Sequence, residues 1–205
     1  MSCSSLYGIK KDYTGEVLYN YENSWLFSPI VGNVLSDKYL PKKFGMVQSV
    51  TGPYGVEVRS NINNILESSD NTPDQICWML VNQQIFFTKD KECIAGSIQK
   101  FIKQNKEYYK SDEDSISVLE SENIVGRFND IANDILSLDE SEHPYFVFKN
   151  SSVDDSVDNW FYEYDENDNC VDSSLKDLNK IVAGFTFIEN GKIVDIVSNL
   201  DYKYE

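Results

Sequence analysis

The strongest folding signal in this chain is Asn190-Gly191, which lies between two apolar, β-rich runs at 181–189 and 192–198. Both residues of such a two-residue turn take positive φ, which Asn and Gly tolerate best. The short turn also fixes the register of the two strands. The predicted cross-strand pairs are Glu189 with Lys192, Phe187 with Val194, and Phe185 with Ile196.

Helical periodicity predicts four helices. The clearest pattern is a stripe of apolar residues that step by four, three, four and three positions: Ile124, Phe128, Ile131, Ile135 and Leu138. This spacing keeps all five side chains on one helix face. The other predicted helices begin at Ser28-Pro29 or span 58–66 and 94–102. The glycines between 45 and 55 lack phosphate-binding spacing, so turns are predicted there.

Short β-rich runs supply the remaining elements. Strands are predicted at 6–10, 17–21, 76–81, 85–88, 145–148 and 160–165, with a hairpin turn at 82–84. In the strand at 160–165, Trp160, Tyr162 and Tyr164 would share a core face, and Phe161 would lie beside two exposed carboxylates. The mixture predicts an α+β fold, in which a mainly antiparallel sheet with hairpins packs against three to five helices. We predict one domain over 1–205, with a weak subdivision near 139–144 as the alternative.

Composition indicates a folded protein with a substantial core. Of the 205 residues, 41% are hydrophobic, and 11 Phe, 13 Tyr and three Trp supply large anchors. No run approaches the roughly 20 apolar residues of a membrane span. The first residues also lack the pattern of a secretory signal. We therefore expect a cytoplasmic protein that does not enter a membrane.

The net charge of −16 comes entirely from one third of the chain. Ser111–Leu175 contains 18 of the 34 acidic residues and only two of the 18 bases, Arg127 and Lys149. The rest of the chain is neutral. Such an excess of anions disfavours direct binding to nucleic acid or to anionic membranes and favours a basic partner. If the folded acids were instead scattered evenly, the charge would serve only to keep the protein soluble.

No pattern predicts a catalytic residue, a metal site or a cofactor. The chain has one histidine and four cysteines that form no metal-binding pair. Asp165-x-Asn167-x-Asn169 resembles the start of a calcium loop, but Cys170 replaces the required glycine and Lys176 replaces the bidentate glutamate. A small carboxylate- or metal-dependent α+β enzyme remains the alternative to a binding protein.

Acids interleaved with aromatic residues fit a basic protein surface, because charges steer the encounter and buried aromatics hold the complex. We therefore predict a non-enzymatic inhibitor or immunity-type protein whose basic partner is a nuclease toxin or other nucleic-acid-processing effector. In size and charge the chain is similar to bacterial immunity proteins and phage anti-restriction proteins, whose acids stand in for phosphates. The predicted contacts are Asp154, Asp155, Asp158, Phe161, Glu163, Asp165, Glu166 and Asp168, with Asp130 and Asp134 as a second patch. The oligomeric state stays open.

Overall fold

The computed structural model describes residues 3–22, 27–41, 52–108, 120, 122–149, 157–180 and 183–204. The chain divides into two compact units. A β-rich unit consists of Met1–Ser24, Asn82–Lys91 and Ser137–Glu205, and a helical unit consists of Trp25–Val81 and Glu92–Leu136. The prediction of one domain over 1–205, with a possible subdivision near 139–144, stays a prediction.

The β-rich unit is built on a six-stranded mixed sheet and a separate two-stranded hairpin. Its strands are β1 (Cys3–Ile9), β2 (Gly15–Glu22), β3 (Ile85–Phe87), β4 (Tyr145–Lys149), β5 (Tyr162–Tyr164), β6 (Cys170–Asp172), β7 (Gly184–Glu189) and β8 (Lys192–Ser198). The large sheet has the order β2-β1-β4-β3-β7-β8, and β5 pairs with β6. The β3–β7 pair is parallel and the other pairs are antiparallel. The predicted α+β class with a mainly antiparallel sheet is confirmed.

One face of the large sheet carries an aromatic core. Val147 lies opposite both Tyr7 and Ile85, and Ile85 also lies opposite Phe185. Because residues directly opposite one another in a sheet point to the same side, these four side chains lie together on this face. The C-terminal residues after β8 pack onto the same face, where the ring of Tyr202 stacks on Phe185 with centroids 3.7 Å apart. Tyr202 and Tyr204 therefore cover part of this core.

The helical unit contains five described helices, one more than the periodicity predicted. They are α1 (Phe27–Tyr39), α2 (Gly52–Glu67), α3 (Thr72–Val81), α4 (Lys91–Gln104) and α5 (Glu122–Ser137). Of the predicted stripe, Phe128, Ile131 and Ile135 are buried on α5, Ile124 is half-buried, and the buried Leu138 follows the end of the helix. The Phe128 ring lies 4.7 Å from Phe27 and 6.3 Å from Phe101, between centroids. These aromatic contacts join α5 to α1 and α4.

A buried carboxylate ties three parts of the helical unit together. Asp74 on α3 has no exposed surface. Its Oδ2 accepts hydrogen bonds from Lys38 Nζ and Tyr39 Oη at 2.7 Å each, and its Oδ1 accepts one from Asn105 Nδ2 at 2.8 Å. Lys38 also donates to Asn105 Oδ1 at 2.8 Å. Lys38 therefore balances the charge of Asp74, and both carboxylate oxygens accept hydrogen bonds. A buried ion needs both kinds of compensation, because it has lost its contact with water.

The predicted strand at 76–81 and its hairpin are wrong. This run is the second half of helix α3, and 82–84 connects α3 to the strand β3. A short apolar run does not separate a buried strand from a buried helix. Asn71 supplies the overlooked start signal, because its Oδ1 accepts from the Asp74 backbone N–H at 3.4 Å. Similarly, the turns predicted near Gly52 are partly wrong, because α2 already begins there.

The C-terminal hairpin has its predicted turn but not its full predicted register. Asn190 and Gly191 take φ values of 50° and 75°, and Glu189 lies opposite Lys192. A bulge beyond that pair shifts the remaining partners. Phe187 therefore lies opposite Asp195, and Phe185 lies opposite Val197. The turn residues cannot reveal such a bulge, because one extra residue on β8 changes every later pair.

Two helix-interior glycines offer a simple test of stability. No described atom lies within 4 Å of the position that a Cβ would take at Gly96 or Gly126. Alanine loses less backbone entropy on folding, so Gly96→Ala and Gly126→Ala should each stabilise the protein by about 0.5–1 kcal/mol. Urea unfolding followed by circular dichroism checks this. A loss of stability in both variants would contradict the helix assignments.

Candidate functional site

The hairpin Tyr162–Asp172, formed by β5, β6 and their connecting turn, is a strongly acidic part of the β-rich unit. It contains five acids and no base: Glu163, Asp165, Glu166, Asp168 and Asp172. Tyr162 pairs with Asp172, Glu163 with Val171 and Tyr164 with Cys170. We call this segment the acidic hairpin. It gathers four of the predicted contact acids, Glu163, Asp165, Glu166 and Asp168, into one short element.

Large apolar side chains are exposed among these acids. The side chain of Tyr164 is 66% exposed and that of Val171 is 43% exposed. Glu163, Glu166, Asp168 and Asp172 are also exposed. The prediction that Tyr164 lies in the core is therefore wrong. The hairpin therefore exposes ring and aliphatic surface beside its charged side chains.

The turn of the acidic hairpin explains the calcium-like pattern. Asp165 Oδ1 accepts hydrogen bonds from the backbone N–H groups of Asn167 and Asn169, at 2.8 and 2.9 Å. The Asn169 side chain donates to Asp165 Oδ2 at 3.0 Å. Asp168 takes a positive φ of 60°, which Asp tolerates better than most residues. The Asp-x-Asn-x-Asn spacing therefore builds a tight turn, and the Asp165 carboxylate is occupied by hydrogen bonds within that turn.

Phe161 anchors the hairpin and does not lie on its surface. Its side chain is only 3% exposed, stacks on Tyr7 with ring centroids 5.5 Å apart, and lies against Gly15. Its carbonyl accepts a hydrogen bond from Ser173 N at 2.8 Å. The predicted strand over 160–165 is wrong at its start, because Val157–Trp160 forms a 3-10 turn that buries Trp160 as well. Phe161 can therefore support a partner surface only from beneath.

Asp158 is also engaged within the protein. Its carboxylate accepts hydrogen bonds from Tyr7 Oη and Lys149 Nζ. Burial raises the pKa of this carboxyl above its usual range. Asp158 thus joins the 3-10 turn to β1 and β4, and its charge is partly neutralised by Lys149.

The remaining predicted contacts lie in the helical unit or outside the described residues. Asp130 and Asp134 lie on α5 of the helical unit, where Asp130 is exposed and Asp134 is half-buried. Asp154 and Asp155 lie outside the described residues. The sequence interpretation missed Tyr164, Val171 and Asp172, because it did not predict β6. The turn chemistry of Asn167-Asp168-Asn169 was the available signal for a returning strand.

The role of Asp165 can be tested through pH and mutation. Hydrogen bonds from Asn169 and Asn167 hold its pKa below the ordinary 3.8. The ionised carboxylate therefore stabilises the turn fully at pH values above 3.8. This stabilisation is lost as the pH falls through the lower pKa of the folded state. Asp165→Ala should therefore speed hydrogen exchange at the Asn167 and Asn169 amides at pH 6.

The matched control is Asp168→Asn, which neutralises an exposed acid in the same turn. NMR-detected exchange in this variant should equal that of the wild type. Equal protection of both amides in the Asp165→Ala variant would show that the carboxylate does not build the turn.

The described residues show neither a metal-binding cluster nor a membrane-spanning helix. The described segments contain no group of three or more His, Cys, Asp or Glu side chains placed to hold a metal ion. None of the five described helices has the length and apolarity needed to cross a bilayer. Comparison with protein-family models, curated protein sequences and solved structures found no match to this chain.

Proposed function

We propose that this protein binds a basic protein through the acidic hairpin and blocks that protein's function. The partner class that fits best is a nuclease toxin or another effector that handles nucleic acid, since such proteins expose basic surfaces to hold phosphates. Carboxylates of the hairpin would occupy that surface in place of phosphates. The protein would then act as an inhibitor or immunity protein without chemistry of its own.

The observation that carries this proposal is the exposure of Tyr164 and Val171 within a hairpin that has five acids and no base. Charge alone keeps a protein soluble and speeds encounters, but it holds a complex weakly because water and salt screen it. Aromatic and aliphatic surface supplies the buried contacts that slow dissociation. The acidic hairpin offers both in a single short element.

The geometry of the hairpin also supports a preorganised contact. The turn is closed by the Asp165 hydrogen bonds, and Phe161 fixes the base of β5 in the core. A rigid surface loses less conformational entropy on binding than a mobile loop does. Glu166 and Asp168 therefore lie on a fixed turn.

The test is a binding and inhibition assay with purified basic nuclease domains. The protein should retain such a domain at low salt and should inhibit its cleavage of DNA in proportion to the amount bound. Raising the ionic strength from about 0.01 M to 0.15 M shortens the screening length from about 30 to 8 Å, so association should slow appreciably.

Basic proteins without nuclease activity, such as cytochrome c, serve as controls for nonspecific attraction. Equal retention of cytochrome c and the nuclease domains would show that only opposite net charges hold the complex together, and it would contradict specific recognition of a nuclease. An association rate that does not change with salt would contradict steering by the acids.

A further inference from the structure

An open cavity in the β-rich unit surrounds the chain's single histidine. The cavity has a volume of about 520 Å³, within the range of about 300–1,000 Å³ that is common for small-molecule sites. Its lining residues are Lys10, Lys11, Asp12, Glu16, Ser141, Glu142 and His143. They come from β2, from the turn between β1 and β2, and from the segment before β4.

The position of His143 is fixed from several sides. Its side chain is only 7% exposed. The imidazole packs against Gly8, where a Cβ atom would lie only 2.5 Å from His143 Cδ2, so the ring fits only because residue 8 is glycine. Its backbone carbonyl accepts from Thr88 Oγ1 at 2.6 Å, and its N–H donates to Asp139 O at 2.8 Å. The imidazole is therefore held in one place beside the cavity.

Glu16 determines which ring nitrogen carries the proton. Glu16 Oε1 lies 2.7 Å from His143 Nε2, and Oε2 lies 2.8 Å from Lys10 Nζ. The hydrogen bond from Lys10, followed by the one from His143, lowers the pKa of Glu16. The Glu16 carboxylate is therefore ionised and can only accept hydrogen bonds. Nε2 must then carry the hydrogen, and in the neutral ring Nδ1 is an acceptor. No described residue makes a hydrogen bond to Nδ1.

Other charged side chains at the cavity lack an ion-pair partner among the described residues. The side chains of Lys11 and Glu142 are exposed and form no ion pair with another described residue. By contrast, Lys10 pairs with Glu16. Asp12 Oδ1 accepts from Thr14 N and Thr14 Oγ1, at 3.1 and 2.7 Å, but its carboxylate forms no ion pair with a described residue. The cavity therefore offers one cation, two carboxylates and one ring acceptor.

We propose that this cavity binds an amino-acid-sized zwitterion. Its ammonium group would donate to His143 Nδ1 and pair with Glu142, and its carboxylate would pair with Lys11. A simple anion would pair only with Lys11 and would be repelled by Asp12 and Glu142. A simple cation would pair with the carboxylates but would leave Lys11 without a partner. This site does not depend on the acidic hairpin.

The experiment uses the imidazole nitrogens of His143 as the reporter. Because the chain has one histidine, long-range ¹H–¹⁵N spectra of the full chain contain one imidazole only. Glycine, added at pH 8, should shift the Nδ1 signal in a saturable manner. Glycine betaine has the same charges but no N–H donor, so it should produce a smaller and weaker shift. The absence of a saturable shift with glycine, or equal shifts with both compounds, would overturn the proposal.

Two surface variants separate the proposed contacts from a general effect on the ring. Lys11→Gln and Glu142→Gln should each weaken glycine binding about two- to fivefold, as expected for exposed ion pairs. Lys203→Gln removes an exposed lysine outside the cavity and should leave binding unchanged. Unchanged affinity in the first two variants, or an equal loss in all three, would contradict the assigned contacts.

Discussion

The Asp74→Ala variant is expected to unfold with a free energy about 3 kcal/mol below that of the wild type, because it leaves the largely buried Lys38 cation without its partner. The Lys38 side chain is only 16% exposed and would keep Asn105 Oδ1 as its polar contact. The hydroxyl of Tyr39 and the amide of Asn105 would also lose an acceptor. The measurement is urea unfolding, followed by circular dichroism.

A double variant distinguishes the lost charge balance from lost packing. Lys38→Met combined with Asp74→Leu removes both charges and keeps similar volume, so it should recover much of the stability lost by Asp74→Ala. A loss below about 1 kcal/mol in Asp74→Ala would contradict the network, since that is the size of an ordinary exposed contact.

The second large effect is expected from Gly15→Ala, which tests the anchor of the acidic hairpin. A Cβ at position 15 would lie 2.6–2.7 Å from the Phe161 ring, well inside contact distance. The ring is already stacked on Tyr7 and packed beside Trp160. We expect a loss of about 1–3 kcal/mol, the usual cost of overpacking a core.

The same variant should loosen the hairpin. Displacing Phe161 weakens the bond from Ser173 N to its carbonyl, so exchange at the Ser173 amide should accelerate. Gly126→Ala is the matched control, since no described atom blocks a Cβ there. A stable Gly15→Ala protein with unchanged exchange would show that Phe161 does not anchor this element.

Local patterns predicted most elements because their signals lie within a few residues. Asn190-Gly191 specified its turn, and the stripe on α5 specified its buried face. The failure at α3 has a clear cause, which is that burial on nearly all sides of a helix removes its periodicity. The run at 76–81 has apolar residues in succession, so helix α3 could not be separated from a strand by pattern alone.

The candidate site was only partly predictable for a related reason. The sequence located the excess of acids, and the structure gathers Glu163, Glu166 and Asp168 in one hairpin. It could not assign individual roles, because those depend on partners distant in the chain. Asp158 is tied to Tyr7, 151 positions away, and His143 is paired with Glu16, 127 positions away.

We propose that the acids of the hairpin, rather than the total charge, recognise a basic partner. The decisive measurement compares the association rates of two triple variants with a nuclease domain that the wild type inhibits. One variant, E163Q/E166Q/D168N, neutralises the acidic hairpin. The other, E57Q/E67Q/E92Q, neutralises three exposed acids of the helical unit and changes the net charge equally. We predict that the hairpin variant associates at least about tenfold more slowly and that the control changes less than about twofold. Equal rates for the two variants would contradict the account.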